Sequence, residues 1–196
     1  MTSTISRLYD SYPLAQQAVT DLEAAGLAHS NISIVANNSD DWHGKDGKSA
    51  GNGAKTGAGV GAGLGGAAGL LTGLGLLAIP GVGPVVAAGW LVATAAGAAA
   101  GAATGGLVGV LTEAGISKED AHVYSEGVRR GGTLVSAKVE DGSKSKYEAI
   151  LNRSSVNITD RGAAYRKAGW QHFDPAAKPY DADQVRKERQ VYSDIR

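Results

Sequence analysis

The sequence predicts an α+β protein in which a ferredoxin-like split βαβ sandwich is interrupted by a long Gly/Ala-rich antiparallel α-helical hairpin. Three observations lead to this prediction. A strand–helix–strand pattern occurs near both ends of the chain, an uncharged segment separates the two occurrences, and glycine recurs in that segment at a helical spacing. The 196 residues suffice for one domain with an insertion, or for two small domains.

The first half of the predicted α+β domain covers residues 1–38. The stretch "STISRLYDSY" alternates weakly in polarity, which favours a strand, and "NISIV" predicts a second strand. Between them, Pro13 suits the first turn of a helix and Gly26 suits its end. We therefore expect a βαβ unit. The residues on the inward face of its helix are Leu14, Ala18, Val19, Leu22 and Ala25.

Residues 114–160 repeat this pattern and form the predicted second half of the domain. Ser117 is a candidate N-cap and Gly131 a candidate stop for a helix over "KEDAHVYSEGVRR". The stretch "TLVSAKV" predicts a strand, "DGSKSKYEAILNRS" a helix, and "VNIT" a last short strand. The inward-facing residues of the second helix are Tyr147, Ile150 and Leu151.

The segment 56–113 is predicted to form the helical hairpin, because no charged residue occurs from Thr56 to Thr112. Small residues recur there every four positions, and in a helix residues four apart share a face on which another backbone can approach closely. The stretch "PGVGP" separates segments of 23 and 28 residues, 57–79 and 85–112, each long enough for a helix of roughly 35–42 Å. The predicted self-association residues are Gly57, Gly61, Gly65, Gly69 and Gly73 in the first segment and Gly89, Gly97, Gly101, Gly105 and Gly109 in the second.

Close packing must stabilise such a hairpin, because each interior glycine costs a helix roughly 1 kcal/mol relative to alanine. The packing could occur within the hairpin, between subunits, or inside a bilayer. About 20 apolar residues span a membrane, so the length of each segment permits insertion. The many Gly, Ala and Thr residues make each segment only marginally hydrophobic, so both a protein assembly and a membrane hairpin stay open.

Composition and motifs give no sign of catalysis. The 19 basic and 19 acidic residues balance, so nothing points to nucleic acid, and the absence of cysteine excludes thiolate chemistry. Gly61, Gly63 and Gly66 match a dinucleotide-binding spacing, but no strand precedes them and no acid follows at the required distance. We therefore expect no cofactor.

The polar loop 39–55 is interpreted as a solvated connection between the first half-domain and the hairpin. Its Asp40, Asp41, His43 and Asp46 could be imagined as metal ligands, but nothing outside the loop supplies a matched partner. The four histidines lie apart in the sequence, and none has a partner at a catalytic spacing. We expect no metal site and no catalytic residue.

The C-terminal tail, 161–196, carries too many aromatic residues for a plain disordered tail. We expect it to pack on its own domain, or on that of a neighbouring subunit. The aromatic residues concerned are Tyr165, Trp170, Phe173 and Tyr180.

Four stretches together carry a family resemblance: "LYDSYPLAQQAVTDLEAAG", "NISIVAN", "YSEGVRRGGTLVSAKV" and "GWQHFDPAAKPY", with the glycine block inserted between the second and third. Nearly the whole chain resembles bacterial general stress proteins of the heat-induced, YflT-like kind. This resemblance implies a stress context and no catalytic residues.

The sequence therefore predicts a non-enzymatic, stress-associated protein that self-assembles into a homo-oligomer through its glycine-zipper hairpin. The alternative is an integral membrane hairpin protein whose partner is the lipid bilayer and which anchors a small α+β domain. The first residues lack the basic and apolar regions of a signal peptide, so we expect a cytoplasmic location, with possible association with the cytoplasmic membrane.

Overall fold

A computed structural model describes residues 1–42, 75–97 and 102–193 of the chain. Five strands in these residues form one antiparallel sheet, which confirms the predicted α+β class. The strands are β1 (Thr2–Tyr9), β2 (Ile32–Asn37), β3 (Gly75–Ile79), β4 (Gly83–Gly89) and β5 (Thr133–Glu140), and their order across the sheet is β1-β5-β2-β4-β3.

Helices cover both faces of this sheet. They are α1 (Tyr12–Ala24), α2 (Trp90–Gly97), α3 (Ala102–Glu113), α4 (Lys118–Arg129), α5 (Lys144–Leu151), α6 (Ile158–Lys167) and α7 (Ala182–Ser193). Helices α1 and α5 pack on the first face, where the core includes Val19, Ile34 and Leu151. Helices α3 and α4 pack together on the second face, where the core includes Leu111 and Tyr124.

The first predicted strand–helix–strand unit is present. Strands β1 and β2 run parallel to each other with β5 between them, antiparallel to both. Pro13 lies in the first turn of α1, and Gly26 follows its end with a φ of 94°. The predicted inward face is correct for Ala18, Val19 and Leu22, which are buried, whereas Leu14 and Ala25 are half-buried.

The second half begins as the sequence predicts. The backbone N–H of Asp120 donates to the Ser117 hydroxyl at 3.1 Å, which caps α4, and Gly131 follows the helix with a φ of 103°. Strand β5 and helix α5 then follow in the predicted order. The predicted inward residues of α5, Tyr147, Ile150 and Leu151, are buried against the first face.

The predicted last strand, "VNIT", is wrong. Val156 does lie beside β1, because its backbone N–H donates to the Leu8 carbonyl at 2.8 Å. The next residue, Asn157, turns the chain into α6, because its side-chain oxygen accepts from the N–H groups of Thr159 and Asp160 at 3.0 and 3.3 Å. An N-cap therefore replaces the fourth strand that a second βαβ unit requires.

The predicted helical hairpin is wrong in part: Trp90–Gly97 and Ala102–Glu113 are helical, as α2 and α3, but the described residues before them are not. Residues 75–79 and 83–89, which the sequence placed in or between two helices, form β3 and β4, which pair with each other. The N–H of Val82 donates to the Ile79 carbonyl at 3.1 Å, and Gly81 has a φ of 73°, so Pro80 and Gly81 occupy the central positions of a tight turn. The β-branched residues on either side favour strands over helix.

The C-terminal tail packs against its own chain. Tyr165 and Phe173 are each only 1% exposed, and Tyr192 in α7 is also buried. The tail also covers the β3–β4 turn, because a side chain at Gly81 would place its Cβ 2.7 Å from the Asp174 carbonyl oxygen. These contacts join the C-terminal part of the chain to the β3–β4 hairpin, which lies near the middle of the sequence.

A buried charge cluster fastens this tail to α4. Glu126 is completely buried, and its carboxylate accepts from Arg130 Nε at 2.6 Å and from Arg129 Nη1 at 3.2 Å. Arg130 also forms an ion pair with Glu188 of α7, with 2.7 Å between Arg130 Nη1 and Glu188 Oε2. Burial alone would lower the pKa of Arg130, but Glu126 and Glu188 outweigh that effect and raise the pKa, so the guanidinium stays charged.

We predict that Glu126→Gln destabilises the protein by about 3 kcal/mol, because loss of one partner leaves buried charge uncompensated. We place it at the lower end of the usual range because Arg130 keeps Glu188. Urea denaturation measures the effect. The control is Glu148→Gln, whose carboxylate pairs with Lys144 at 3.9 Å in an exposed position and should change stability by about 0–1 kcal/mol. Equal losses from both variants would contradict the assigned role of Glu126.

Candidate functional site

The structure places four of the ten predicted self-association residues. Gly89 ends β4, Gly97 ends α2, and Gly105 and Gly109 lie in α3. The backbone at Gly106 has a φ of 51° and a ψ of −140°, which interrupts α3. The sequence predicted that glycines four residues apart lie along one helix. In the structure they are divided between a strand and two helices. The six residues outside the described ranges are Gly57, Gly61, Gly65, Gly69, Gly73 and Gly101.

Gly89 serves strand pairing rather than helix packing. Its φ is 93°, and a Cβ there would lie 2.2 Å from the Ile32 carbonyl oxygen and 2.7 Å from the Ser33 Cα. Any side chain would force β2 and β4 apart at this point. Gly89 is therefore required by the close approach of two strands, and its place in the four-residue helical repeat is a coincidence.

Gly109 has the open surroundings that a contact between molecules requires. A Cβ built at this position meets no atom within 4 Å, although the residue is half-buried. Within the described chain, nothing in its packing demands glycine. The position therefore remains a candidate for contact with a second molecule.

An apolar groove of about 240 Å³ lies between the β3–β4 hairpin and helices α2 and α3. None of the described residues that line it is titratable, so these residues offer a surface for apolar contact and no acid, base or nucleophile. The sequence did not predict this groove, because the glycine spacing favoured helices where β3 and β4 lie, although the β-branched residues around "PGVGP" signal strands. We define the apolar groove by Leu77, Ile79, Leu91, Val92, Leu107 and Val110.

Strand β3 forms an edge of the sheet next to this groove. Among the described strands only β4 pairs with it, so its outer backbone groups face away from the rest of the described sheet. Leu76 is 43% exposed, so β3 presents a large apolar side chain to solvent, and neither β3 nor β4 carries a charge. Natural proteins usually protect such an edge with charge or proline, because it is a template for pairing with another strand.

The polar loop uses its first carboxylate for structure. Asp40 pairs with Arg189 of α7 at 2.8 Å, and Asp41 has a φ of 51°. His43 and Asp46 lie outside the described ranges. Residues 1–42, 75–97 and 102–193 contain no cluster of three or more side chains suited to a metal ion.

Two histidines that are fifty residues apart in the sequence meet at the surface. The rings of His122 and His172 lie 6.2 Å apart, edge to face, and the N–H of Phe173 donates to His122 Nδ1 at 3.2 Å. Burial, followed by the charges of His172 and Lys118, lowers the pKa of His122. No sequence pattern indicated this pair, because the tail that carries His172 had no predicted position.

We predict that acid weakens this tail contact. Because the pKa of His122 is lower in the folded state, the unfolded chain takes up the proton first, and stability is lost as the pH falls below about 6.5. His122→Asn should reduce that loss, because an amide oxygen can accept the Phe173 N–H without titrating. Melting temperatures at about pH 7.5 and about pH 5.5 test this. An equal decrease in both proteins would show that His122 is not responsible.

Comparisons of the chain with protein-family models, with curated proteins and with solved structures find no match. The resemblance to general stress proteins therefore stays a prediction. Within the residues that the structure covers, every helix is too short or too polar to cross a bilayer.

Proposed function

We propose that this is a non-enzymatic, stress-associated protein that self-associates through its uncharged central region. The observation that carries the proposal is the edge of β3, which is free of charge, exposes Leu76 and adjoins the apolar groove. The stress context is supported only by the sequence resemblance. The absence of titratable groups among the described residues that line the groove favours binding over chemistry there.

A second copy of the chain is the partner that fits this edge. Two β3 strands can pair antiparallel about a two-fold axis, so that each strand supplies the hydrogen-bonding groups that the other lacks. The sequence "GLLAI" carries no charge, so two copies would not repel each other. The groove beside the edge adds apolar surface to the same contact.

Membrane insertion is the weaker alternative. It required two long helices over 57–79 and 85–112, but residues 75–79 and 83–89 are strands of the central sheet. Residues that pair as strands of this sheet cannot also belong to a helix that spans a bilayer. A cytoplasmic location, and the display of a small ferredoxin-like α+β domain by the assembly, remain parts of the proposal.

We predict that Leu76→Lys reduces the assembly to a 19.8 kDa monomer, because a charge at an edge strand opposes pairing. Size-exclusion chromatography with light scattering measures the mass in the absence of detergent. The matched control is Val191→Lys, since Val191 is also an exposed apolar residue, at 60%, but lies on α7. A monomeric wild-type protein, or the same mass for wild type and Leu76→Lys, would refute the proposal.

A second prediction concerns α3. Gly109→Leu should weaken self-association, because the new side chain occupies space that is open within one chain and needed by a second. It should not lower monomer stability, since leucine favours helix over glycine by under about 1 kcal/mol. Gly142→Leu, at another glycine with open surroundings, is the control for adding bulk. Size-exclusion chromatography measures the assembly, and circular dichroism of the same samples measures the helix content. If Gly109→Leu assembles like wild type, the α3 face is excluded from the contact between subunits.

A further inference from the structure

A polar cleft of about 410 Å³ lies on the second face of the sheet, between the start of β1 and helices α2 and α3. It reaches the β1 side of the sheet, whereas the edge proposed for self-association is β3, at the opposite end of the strand order. Its volume falls in the range of small-molecule sites. We call it the polar cleft and define it by Thr2, Thr4, Trp90, Thr94, Glu113 and Lys138.

The strand register explains why this part of the sheet is polar. Ser6 pairs with Ser136 in the register of β1 and β5, and their buried hydroxyls share a hydrogen bond of 2.7 Å. Two residues further along the same face, Thr4 pairs with Lys138. The inner hydroxyl pair satisfies itself, but the described residues offer no hydrogen-bond partner to the side chains of Thr4 and Lys138. The register therefore leaves polar groups pointing into the cleft without a partner from the protein.

Lys138 occupies an unusual place for a lysine. Strand β5 lies between β1 and β2, and Lys138 is half-buried on its helix-covered face. Its Nζ lies 4.0 Å from the centroid of the Trp90 ring, which holds the ammonium by a cation–π contact. No carboxylate in the described parts of the chain lies within ion-pair distance of it. A fixed, half-buried ammonium that keeps its N–H donors available is suited to a carboxylate ligand.

Glu113 supplies the opposite charge in the same cleft. It lies at the end of α3, is exposed, and forms no ion pair with Lys138 or with any other described residue. The cleft thus carries a half-buried ammonium and an exposed carboxylate that form no ion pair with each other. A simple anion would be attracted by Lys138 and repelled by Glu113, whereas a ligand with both charges satisfies both groups.

We infer that this cleft binds a small zwitterion of the free amino-acid class, with the ligand carboxylate on Lys138 and the ligand ammonium on Glu113. The hydroxyls of Thr2 and Thr4, which line the cleft, can donate to the carboxylate or accept from the ammonium. The ring of Trp90 and the side chain of Val110 provide apolar walls for the rest of the ligand.

Isothermal titration calorimetry of the full chain with each standard zwitterionic amino acid tests the inference. The best ligand is then compared with its amide, which lacks the carboxylate, and with its N-acetyl derivative, which lacks the ammonium. We expect each derivative to bind roughly tenfold more weakly or worse. Absence of binding by every amino acid at millimolar concentration overturns the inference, and equal binding of the N-acetyl derivative shows a simple anion site instead.

Two variants assign the charges. Lys138→Met keeps the apolar stem against Trp90 and should weaken binding of both the amino acid and its N-acetyl derivative roughly tenfold. Glu113→Gln should weaken binding of the amino acid but not of the N-acetyl derivative, because loss of the Glu113 charge removes a repulsion from that anion. Lys167→Met, an exposed lysine on α6, is the control for loss of charge. If Lys138→Met does not fold, the exposed Glu113→Gln variant still decides, because an unchanged affinity for the amino acid overturns the inference.

Discussion

The fully buried carboxylate of Glu126 is the constraint on which the arrangement of the second sheet face depends. A charge without solvent requires close counter-charges, and α4 supplies two of them from its own last turn. Arg130 also contacts the C-terminal helices, because it pairs with Glu188 of α7 and lies 4.4 Å from the centre of the Tyr165 ring in α6. The C-terminal helices are therefore held by charges that α4 buries, and the tail in turn covers the turn between β3 and β4. One ionic cluster thus connects the end of the chain to the middle of the sheet.

With α4 fixed in this way, the second face of the sheet divides into two regions of different chemistry. Under α4 the strands present Leu8, Val35 and Leu134, which form a dry core. Beyond the Ser6–Ser136 pair the same face becomes polar, and it is covered more loosely by α2 and α3. The two ends of the sheet also differ. Val156 bonds to the Leu8 carbonyl and so covers part of the β1 edge, whereas no described segment pairs with the outer side of β3. The cleft and the exposed edge are thus separate consequences of one packing arrangement.

The sequence predicted those elements whose signals are local. The cap at Ser117, the stop at Gly131 and the strand β5 depend on neighbouring residues, and each was placed correctly. The prediction failed where glycine can serve two structural roles, close packing of helices or close approach of strands. Glycine every four positions fits a helix, but Gly89 is required by the close approach of β2 and β4. The meeting of His122 with His172 and of Trp90 with Lys138 could not be predicted, because it depends on how distant elements pack and not on any spacing along the chain.

The fold also changes how the uncharged run from Thr56 to Thr112 should be interpreted. In the sequence, the whole run indicated a single association surface. In the structure, Val82, Val85 and Val86 have no exposed surface at all, so burial in the sheet is sufficient reason for the lack of charge there. The same reasoning covers Leu91 and Leu111, which are buried under the helices of the second face. Burial does not explain Leu76, which is exposed, and internal packing does not explain Gly109, which has open space beside it. Within the described part of the run, the case for association therefore depends on these two positions and not on the glycine repeat as a whole.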